Sequence, residues 1–372
     1  MTTINIPREE TMARIAAATE AIAASMNADV SDWEAIARIV KSGAGNAAFP
    51  VGSQFDTKGD DGTVLIWEVV HHSTVNSKPC MYLQLHDTLP NTMQFDKEEA
   101  LYFAENGLAT GTYSFSLPSG YDETYGGGQT YHFTLTKAVP AGGVLKFAWG
   151  YQQQASASLV SSYTAVDGTL VESVGVAVGA SGTNLGAADG TSANMNHIQR
   201  VRYGSNNWKE SAMRQYLNTA AASGWWKSQT KYDTPPNYVN TKGFMALLPK
   251  DFLDVIKNIT QKTITNNIFE VNDTVNASYE TTDKFWLASR FQVFGTTEGA
   301  DLQEEQFDYY KGATDVDRIK YSPTGAARYW WLRSPNPGAA SYVRFVYSSG
   351  ALGNNLSANY IGNGVAPACV IY

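Results

Sequence analysis

The chain has 372 residues, of which 43% are apolar and only 17% charged, with 32 Gly, 21 Tyr and a net charge of −8. Such a composition argues against disorder, and an acidic balance with no Lys/Arg cluster argues against a nucleic-acid partner. No apolar run approaches the roughly 18 residues of a membrane span, and Met1-Thr2-Thr3-Ile4-Asn5-Ile6-Pro7 lacks the basic and apolar regions of a leader, so neither membrane insertion nor a signal peptide is expected.

Residues 7–42 read as two helices. Met12, Ile15, Thr19, Ile22 and Met26 recur at alternating three- and four-residue spacing, and Asn27-Ala28-Asp29 breaks the stripe. Ser31-Asp32-Trp33-Glu34 then reads as a capping box, with Trp33, Ile36, Ala37 and Val40 on one face and Gly43 as the stop. The pair either packs on the main body or serves as an oligomerising or docking segment; two heptads are too few for a coiled coil.

From Val51 the pattern becomes β. Residues 64–70 form a buried strand after the turn Gly59-Asp60-Asp61-Gly62, and 81–85 form another. Residues 107–186 read as a separate all-β block. Tyr113-Ser114-Phe115-Ser116-Leu117 and Tyr131-His132-Phe133-Thr134-Leu135 alternate with period two, as does 171–178, which predicts a small sandwich inserted into a larger domain. Beyond 187 the style is mixed. An amphipathic helix over 207–217 places Trp208, Ala212 and Tyr216 together, Pro249 opens a second helix, and 284–289 is a strand.

The last 45 residues carry the strongest signal. Tyr329-Trp330-Trp331-Leu332-Arg333-Ser334-Pro335 and Gly364-Val365-Ala366-Pro367-Ala368-Cys369 look like rigid brackets. Between them, Asn354-Asn355-Leu356-Ser357 and Asn359-Tyr360-Ile361-Gly362-Asn363 mix aromatic, aliphatic and amide side chains where a loop is ordinarily polar. Apolar side chains that no core needs suggest a contact surface, and Tyr, Ser, Gly and Asn are the residues of evolved binding loops. Trp330, Trp331 and Arg333 can be read as a sugar-stacking platform. The reading adopted here is a strand with one Trp in the core and the Arg paired internally.

Catalytic signatures are missing. His71, His72, His86, His132 and His197 have no metal-ligand spacing, and there is no nucleophile elbow, P-loop or dinucleotide fingerprint. Gly126-Gly127-Gly128 reads as a hairpin tip. Asp251 with Asp254 and Glu298 with Asp301 are ordinary solvated carboxylate pairs, and Asp315-Val316-Asp317 lacks the ligand spacing of a calcium loop. Cys80 and Cys369 provide no disulfide framework; buried free thiols and a single bridge both stay open.

Several tracts together resemble one family. These are Lys284-Phe285-Trp286-Leu287-Ala288-Ser289, Phe294-Gly295, Tyr309-Tyr310, Arg318-Ile319-Lys320-Tyr321, the two brackets and Ser349-Gly350-Ala351-Leu352. Upstream, Tyr203-Gly204-Ser205-Asn206-Asn207-Trp208 and Gly243-Phe244 with Asp251-Phe252-Leu253 join them. The string resembles the variable proteins of diversity-generating retroelements, a phage and gut-bacterial family whose known type is the phage major tropism determinant. The resemblance implies a C-type-lectin-like fold and a terminal region rewritten by adenine-directed mutagenesis, whose products exclude Lys, Glu, Gln, Met and Trp. Residues 333–372 contain none of those five.

Carried over position by position, the resemblance makes Ser341, Tyr342, Phe345, Tyr347, Gly353, Asn354, Asn355, Leu356, Asn359, Tyr360, Ile361 and Gly362 the diversified, ligand-binding positions. It makes Trp331, Arg333, Gly338, Val343, Val346, Gly350, Ala351, Leu352, Gly364, Val365 and Pro367 the fixed scaffold. Strand parity puts Phe345 and Tyr347 on one face and Val346 on the other; Tyr342 joins them only through a bulge. The Gln-Pro-Asp and Glu-Pro-Asn motifs of calcium-dependent lectins are absent, so a calcium-mediated sugar grip is not implied.

The expectation is an α+β chain. An N-terminal helical segment occupies 1–48. A C-type-lectin-like domain spans 49–106 and 187–372, with its variable region at about 336–363, and an Ig-like β-sandwich is inserted at 107–186. The expected role is non-enzymatic receptor or ligand binding on a virion tail or fibre tip, or at a bacterial cell surface. The expected partner is a host-surface protein or glycan, the chain is a candidate homo-oligomer, and no cofactor or metal is expected. The alternatives are a non-diversified adhesin or virion structural protein, and a formylglycine-generating-type enzyme on the same fold.

Overall fold

The computed structural model describes residues 32–97, 102–104, 106–116, 130–141, 143–147, 159–164, 170–187, 205–229, 235–264, 278–298, 304–337 and 342–372. The first expected helix and Gly126-Gly127-Gly128 lie outside them. Within them the protein mixes helix and sheet, with many strands in several small sheets and few, short helices.

The first described element is helix α1, Trp33–Lys41. Its N-cap is Asp32, one residue later than a Ser31 capping box requires: the Asp32 carboxylate accepts from the Glu34 and Ala35 amides at 3.0 and 3.3 Å. Trp33, Ile36, Ala37 and Val40 are buried as expected. Gly43, at φ 85°, turns the chain out of the helix toward the four-residue helix α2, Gly45–Ala48.

Strands β1 (Gln54–Lys58), β2 (Val64–Val75) and β3 (Lys78–Leu85) follow as an antiparallel meander. The β2–β3 turn is Asn76-Ser77, both at positive φ, the backbone that a two-residue hairpin requires. The all-β block contributes β4 (Tyr102–Ala104), β5 (Gly111–Ser116), β6 (Thr130–Leu135), β7 (Gly143–Phe147), β8 (Leu159–Thr164), β9 (Leu170–Val178) and β10 (Thr183–Ala187). Their ladders form one hydrogen-bonded series, β10-β5-β6-β9-β8-β7-β4, not the two separate sheets expected of a sandwich. Period-two alternation reports that each strand has a covered face; it does not report where a sheet divides.

After this block come helices α3 (Ala212–Leu217) and α4 (Lys250–Val255), the hairpin β11 (Ile259–Ile264) and β12 (Ser278–Asp283), the short β13 (Trp286–Leu287) and helix α5 (Arg290–Phe294). Only two residues of the expected 284–289 strand pair as strand, because Ser289 instead caps α5 with a capping box to Gln292. The last elements are β14 (Lys320–Tyr321), β15 (Ala327–Arg328), β16 (Trp330–Pro335), β17 (Tyr342–Val346), β18 (Leu352–Ser357) and β19 (Pro367–Ile371).

Distant parts of the sequence meet in the five-stranded sheet β1-β2-β3-β19-β13. β19 is buried at all five positions between β3 and β13, so its near-continuous apolar run has both faces covered. Trp67 stacks among Phe244, Phe252 and Phe285, with Trp33 of α1 4.4 Å from Phe252. This aromatic core ties 33–85 to 244–371 and anchors the separate three-stranded sheet β16-β17-β18 at the C-terminal side.

Candidate binding surface

The bracket is built from β16 inward. Trp330 and Trp331 are both fully buried, more than the one core Trp expected. The Trp331 indole donates to the Met93 carbonyl at 2.7 Å and the Trp330 indole to the Arg318 carbonyl at 3.0 Å, so neither buried N–H lacks a partner. This burial removes both rings from any sugar-stacking role. Arg333 is 1% exposed and forms an ion pair with Glu304. Its guanidinium also donates to the Leu287 carbonyl at 3.0 Å and to Gln292 Oε1 at 2.9 Å. Burial pulls this guanidinium down to about 10, which leaves it charged at neutral pH.

β17 is the central strand, and all five of its residues are buried. Its register slips against both neighbours around Arg344. Against β18, Val343 pairs with Leu356 and Phe345 with Gly353, so Arg344 stands opposite both Asn354 and Asn355. That extra residue is a β-bulge, and it turns two consecutive amide side chains toward solvent. Arg344 secures the bulge from beneath. It donates to the Asn354 backbone carbonyl at 3.0 Å and to Oδ1 at 2.9 Å, and grips Glu298 through two hydrogen bonds of 2.6 and 3.0 Å. Glu298 is itself buried and also meets Arg290 at 3.1 Å.

Other polar side chains fix the backbone around this sheet. Asn206 donates to the carbonyls of Tyr342 and Asn336 at 2.9 and 3.2 Å. Gln94 holds the Asn359 carbonyl and accepts from the Asn237 amide. In the 347–351 turn the Tyr347 and Gly350 amides close the loop, and Gly350 sits at φ 85° with the Asp315 carbonyl where a Cβ would stand. The sequence pattern gave no role to Arg344, Gln94 or Asn206, and it marked Glu298 as an ordinary solvated carboxylate, whereas that side chain is buried between Arg344 and Arg290. Arg344 and Asn206 lay in tracts that had been singled out, but an isolated polar residue gives no periodic signal of what it will reach.

The twelve expected contact positions divide. Tyr347, Asn354, Asn355 and Ile361 are exposed, with Ile361 at 57% and Tyr347 at 38%. Asn359, Tyr360 and Gly362 are half-buried. Tyr342, Phe345, Gly353 and Leu356 are buried, so they offer a partner almost no area. They lie on or beside the middle strand, which is covered on both faces. A Cβ at Gly353 would strike the Phe345 ring, so these two positions can change only together. Ser341, like the scaffold position Gly338, lies outside the described residues. Phe345 does share a face with Tyr347: the rings are 4.6 Å apart, and Tyr329 completes the trio.

Between Ser334 and Tyr372 the single charged side chain is Arg344, and it is neutralised underneath by Glu298. The exposed surface of this segment is therefore made of aromatic, aliphatic and amide groups without charge. Its chemistry is shape, apolar area and neutral hydrogen bonding.

The remaining chemical candidates are engaged in structure. Asp315 pairs with Arg318 and Asp317 caps Thr314, so neither carboxylate is held out for a cation. Among the described residues no group of three His, Cys, Asp or Glu is placed to hold a metal. Cys80 and Cys369 are free and buried; burial pushes the Cys80 thiol up to about 11 and the Cys369 thiol well above its ordinary value. No described helix is long and apolar enough to cross a membrane.

A family model described as Domain of unknown function (DUF6273) matches residues 185–372, half of the chain. That span contains every residue of the three-stranded sheet. No curated protein and no solved structure matches the chain.

Proposed function

The chain belongs to the DUF6273 family, and we propose that it is a non-catalytic recognition protein whose binding face is the outer side of β18 and the 358–362 turn. Tyr347, Asn354, Asn355, Tyr360 and Ile361 make the contacts. One observation carries this reading: uncharged, exposed side chains stand on a backbone held from below by a buried ion pair and buried tryptophans. Positions can then change identity without moving the frame, which is what a diversified surface needs. Rigid tyrosines supply area at low entropic cost and the amides adapt their hydrogen bonds.

The resemblance to variable proteins of diversity-generating retroelements supports the same reading and extends it to a C-type-lectin-like domain that recognises a host-surface protein or glycan. In this reading the lectin-like unit includes β1–β3, because β19 closes against β3. The high thiol pKa values disfavour the alternative of a cysteine-dependent enzyme on this fold.

The test is genetic and then biochemical. DNA flanking the gene should contain a near-identical copy of the 336–363 coding segment and a reverse transcriptase gene. Substitutions among natural copies should concentrate at Tyr347, Asn354, Asn355, Tyr360 and Ile361 and spare Arg344. Binding to host cells should barely change when salt is raised, because no charge faces the partner. Natural variation spread evenly over Trp331, Arg333 and Arg344 would end the proposal.

A further inference from the structure

A second site lies away from this surface. The hairpin β11–β12, the end of β2 and the 304–308 strip enclose a groove of about 540 Å³, within the size range of small-molecule pockets. Its walls are rich in oxygen: Gln261, Glu280, Glu304 and Glu305 line it beside His71 and Lys262.

Each wall carboxylate already faces a basic side chain. Glu304 pairs with Arg333, and Lys262 stands 3.8 Å from Glu280. Glu305 meets His71 Nε2 at 2.9 Å, while Asp308 meets Nδ1 at 2.8 Å and Lys311 at 2.5 Å. The His71 ring thus faces a carboxylate oxygen at each of its nitrogens. The wall carboxylates and the basic side chains already face one another, so an ionic ligand would have to displace one of these contacts. A carboxylate offers about four lone-pair sites, and these pairings leave some of them open.

Among the neutral side chains of the lining, one buried polar atom has no partner. Gln261, one of the lining residues, is 7% exposed, and its Oε1 atom has no hydrogen-bond donor. A buried carbonyl oxygen without a donor is costly, and structures usually meet that cost with a water or a ligand.

We infer that this groove binds a small, neutral, hydroxyl-rich ligand of about monosaccharide or disaccharide size. Hydroxyls both donate and accept. They can donate to Gln261 Oε1 and to the open oxygens of Glu280 and Glu305, and accept from the Lys262 ammonium, without displacing these pairings. This site goes beyond the proposed recognition face and shares no residue with it.

The test is an NMR titration of the full chain with glucose, galactose, mannose, N-acetylglucosamine and sucrose. Phosphate and 1,4-diaminobutane serve as charged controls. At least one neutral sugar should give saturable shifts at Gln261 and its β11 neighbours at millimolar concentration. Gln261→Leu and the exposed Lys262→Met should each weaken that binding, the former by about tenfold, as expected when a site loses a hydrogen bond to a substrate hydroxyl. Tyr347→Ala should leave it unchanged, which separates this site from the recognition face. No shift with any of the five sugars would overturn the inference. Stronger binding of phosphate or diaminobutane, or undiminished sugar affinity in both variants, would overturn it too.

Discussion

β16 and β18 flank the same central strand, yet they are opposites. β16 is buried at every position, bridged to Gly364 on its far side, and carries two tryptophans and an ion-paired arginine. β18 has open positions at Asn354 and Asn355 and runs into the exposed Ile361. Sequence composition alone would not separate them, since both mix apolar and polar residues. The difference is one of position: one strand faces the aromatic core, and the other forms the outer edge. An arginine is acceptable in the first because it pairs with Glu304 and donates to Leu287 and Gln292, and an asparagine is harmless in the second because water is always available.

The comparison breaks most sharply at Arg333. Arg333→Met should strand the buried Glu304 carboxylate and cost about 3–5 kcal/mol in denaturant unfolding. A loss below about 1 kcal/mol would show that the frame does not depend on this pair. Phe345→Ala should cost about 3 kcal/mol or more, because the ring is buried beneath Tyr329; Tyr347→Ala, two residues on, should cost under about 1 kcal/mol. Equal losses would erase the distinction between the covered and displayed members of that aromatic trio.

Arg344→Ala should be intermediate, at about 2 kcal/mol, since Glu298 keeps Arg290 as a partner. Its clearer signature is local: amide exchange at 353–356 should accelerate while β16 stays protected. Ile361→Ser should move stability by no more than about 0.5 kcal/mol, yet weaken binding if the recognition proposal holds.

The smallest effect lies at the edge of the frame. The hydrogen bond to Glu68 raises the His86 pKa above its ordinary 6.5, against the opposing effect of burial. Burial lowers that of His72. NMR titration should therefore place the His86 midpoint above that of His72, and Glu68→Gln should bring His86 down. Because His86 holds its proton more tightly when folded, its contribution to stability is complete below about pH 6.5 and fades as pH rises through its folded value. His72 has the opposite sign, favouring the fold above about pH 6.5 and weakening it as pH falls.

Much of the scaffold was legible. The Trp33, Ile36, Ala37 and Val40 stripe, the 64–70 and 81–85 strands and the internally paired Arg333 could be read from period and residue type, because burial of one face leaves a repeating mark. The misreadings share one cause. Asp32 replaced Ser31 as the cap, Ser289 stopped a strand that apolar content extended, and the all-β block is hydrogen-bonded in a single series. In each case a local pattern fitted two arrangements of the backbone, and contacts distant in sequence chose between them.

The proposed surface was legible in outline only. Composition located the 336–363 segment, and parity paired Phe345 with Tyr347. It could not separate the exposed Tyr347 from the buried Phe345, nor the exposed Asn355 from the buried Leu356, since each pair has the same standing in the linear pattern. The bulge opposite Arg344 decided that, together with Glu298, which lies 46 residues away. The sequence by itself determined that the tail would carry a single charge and several aromatic rings, because composition survives any folding. Which of those side chains meet water depended on how the three strands settled against the core, because exposure is a property of neighbours brought together from far along the chain.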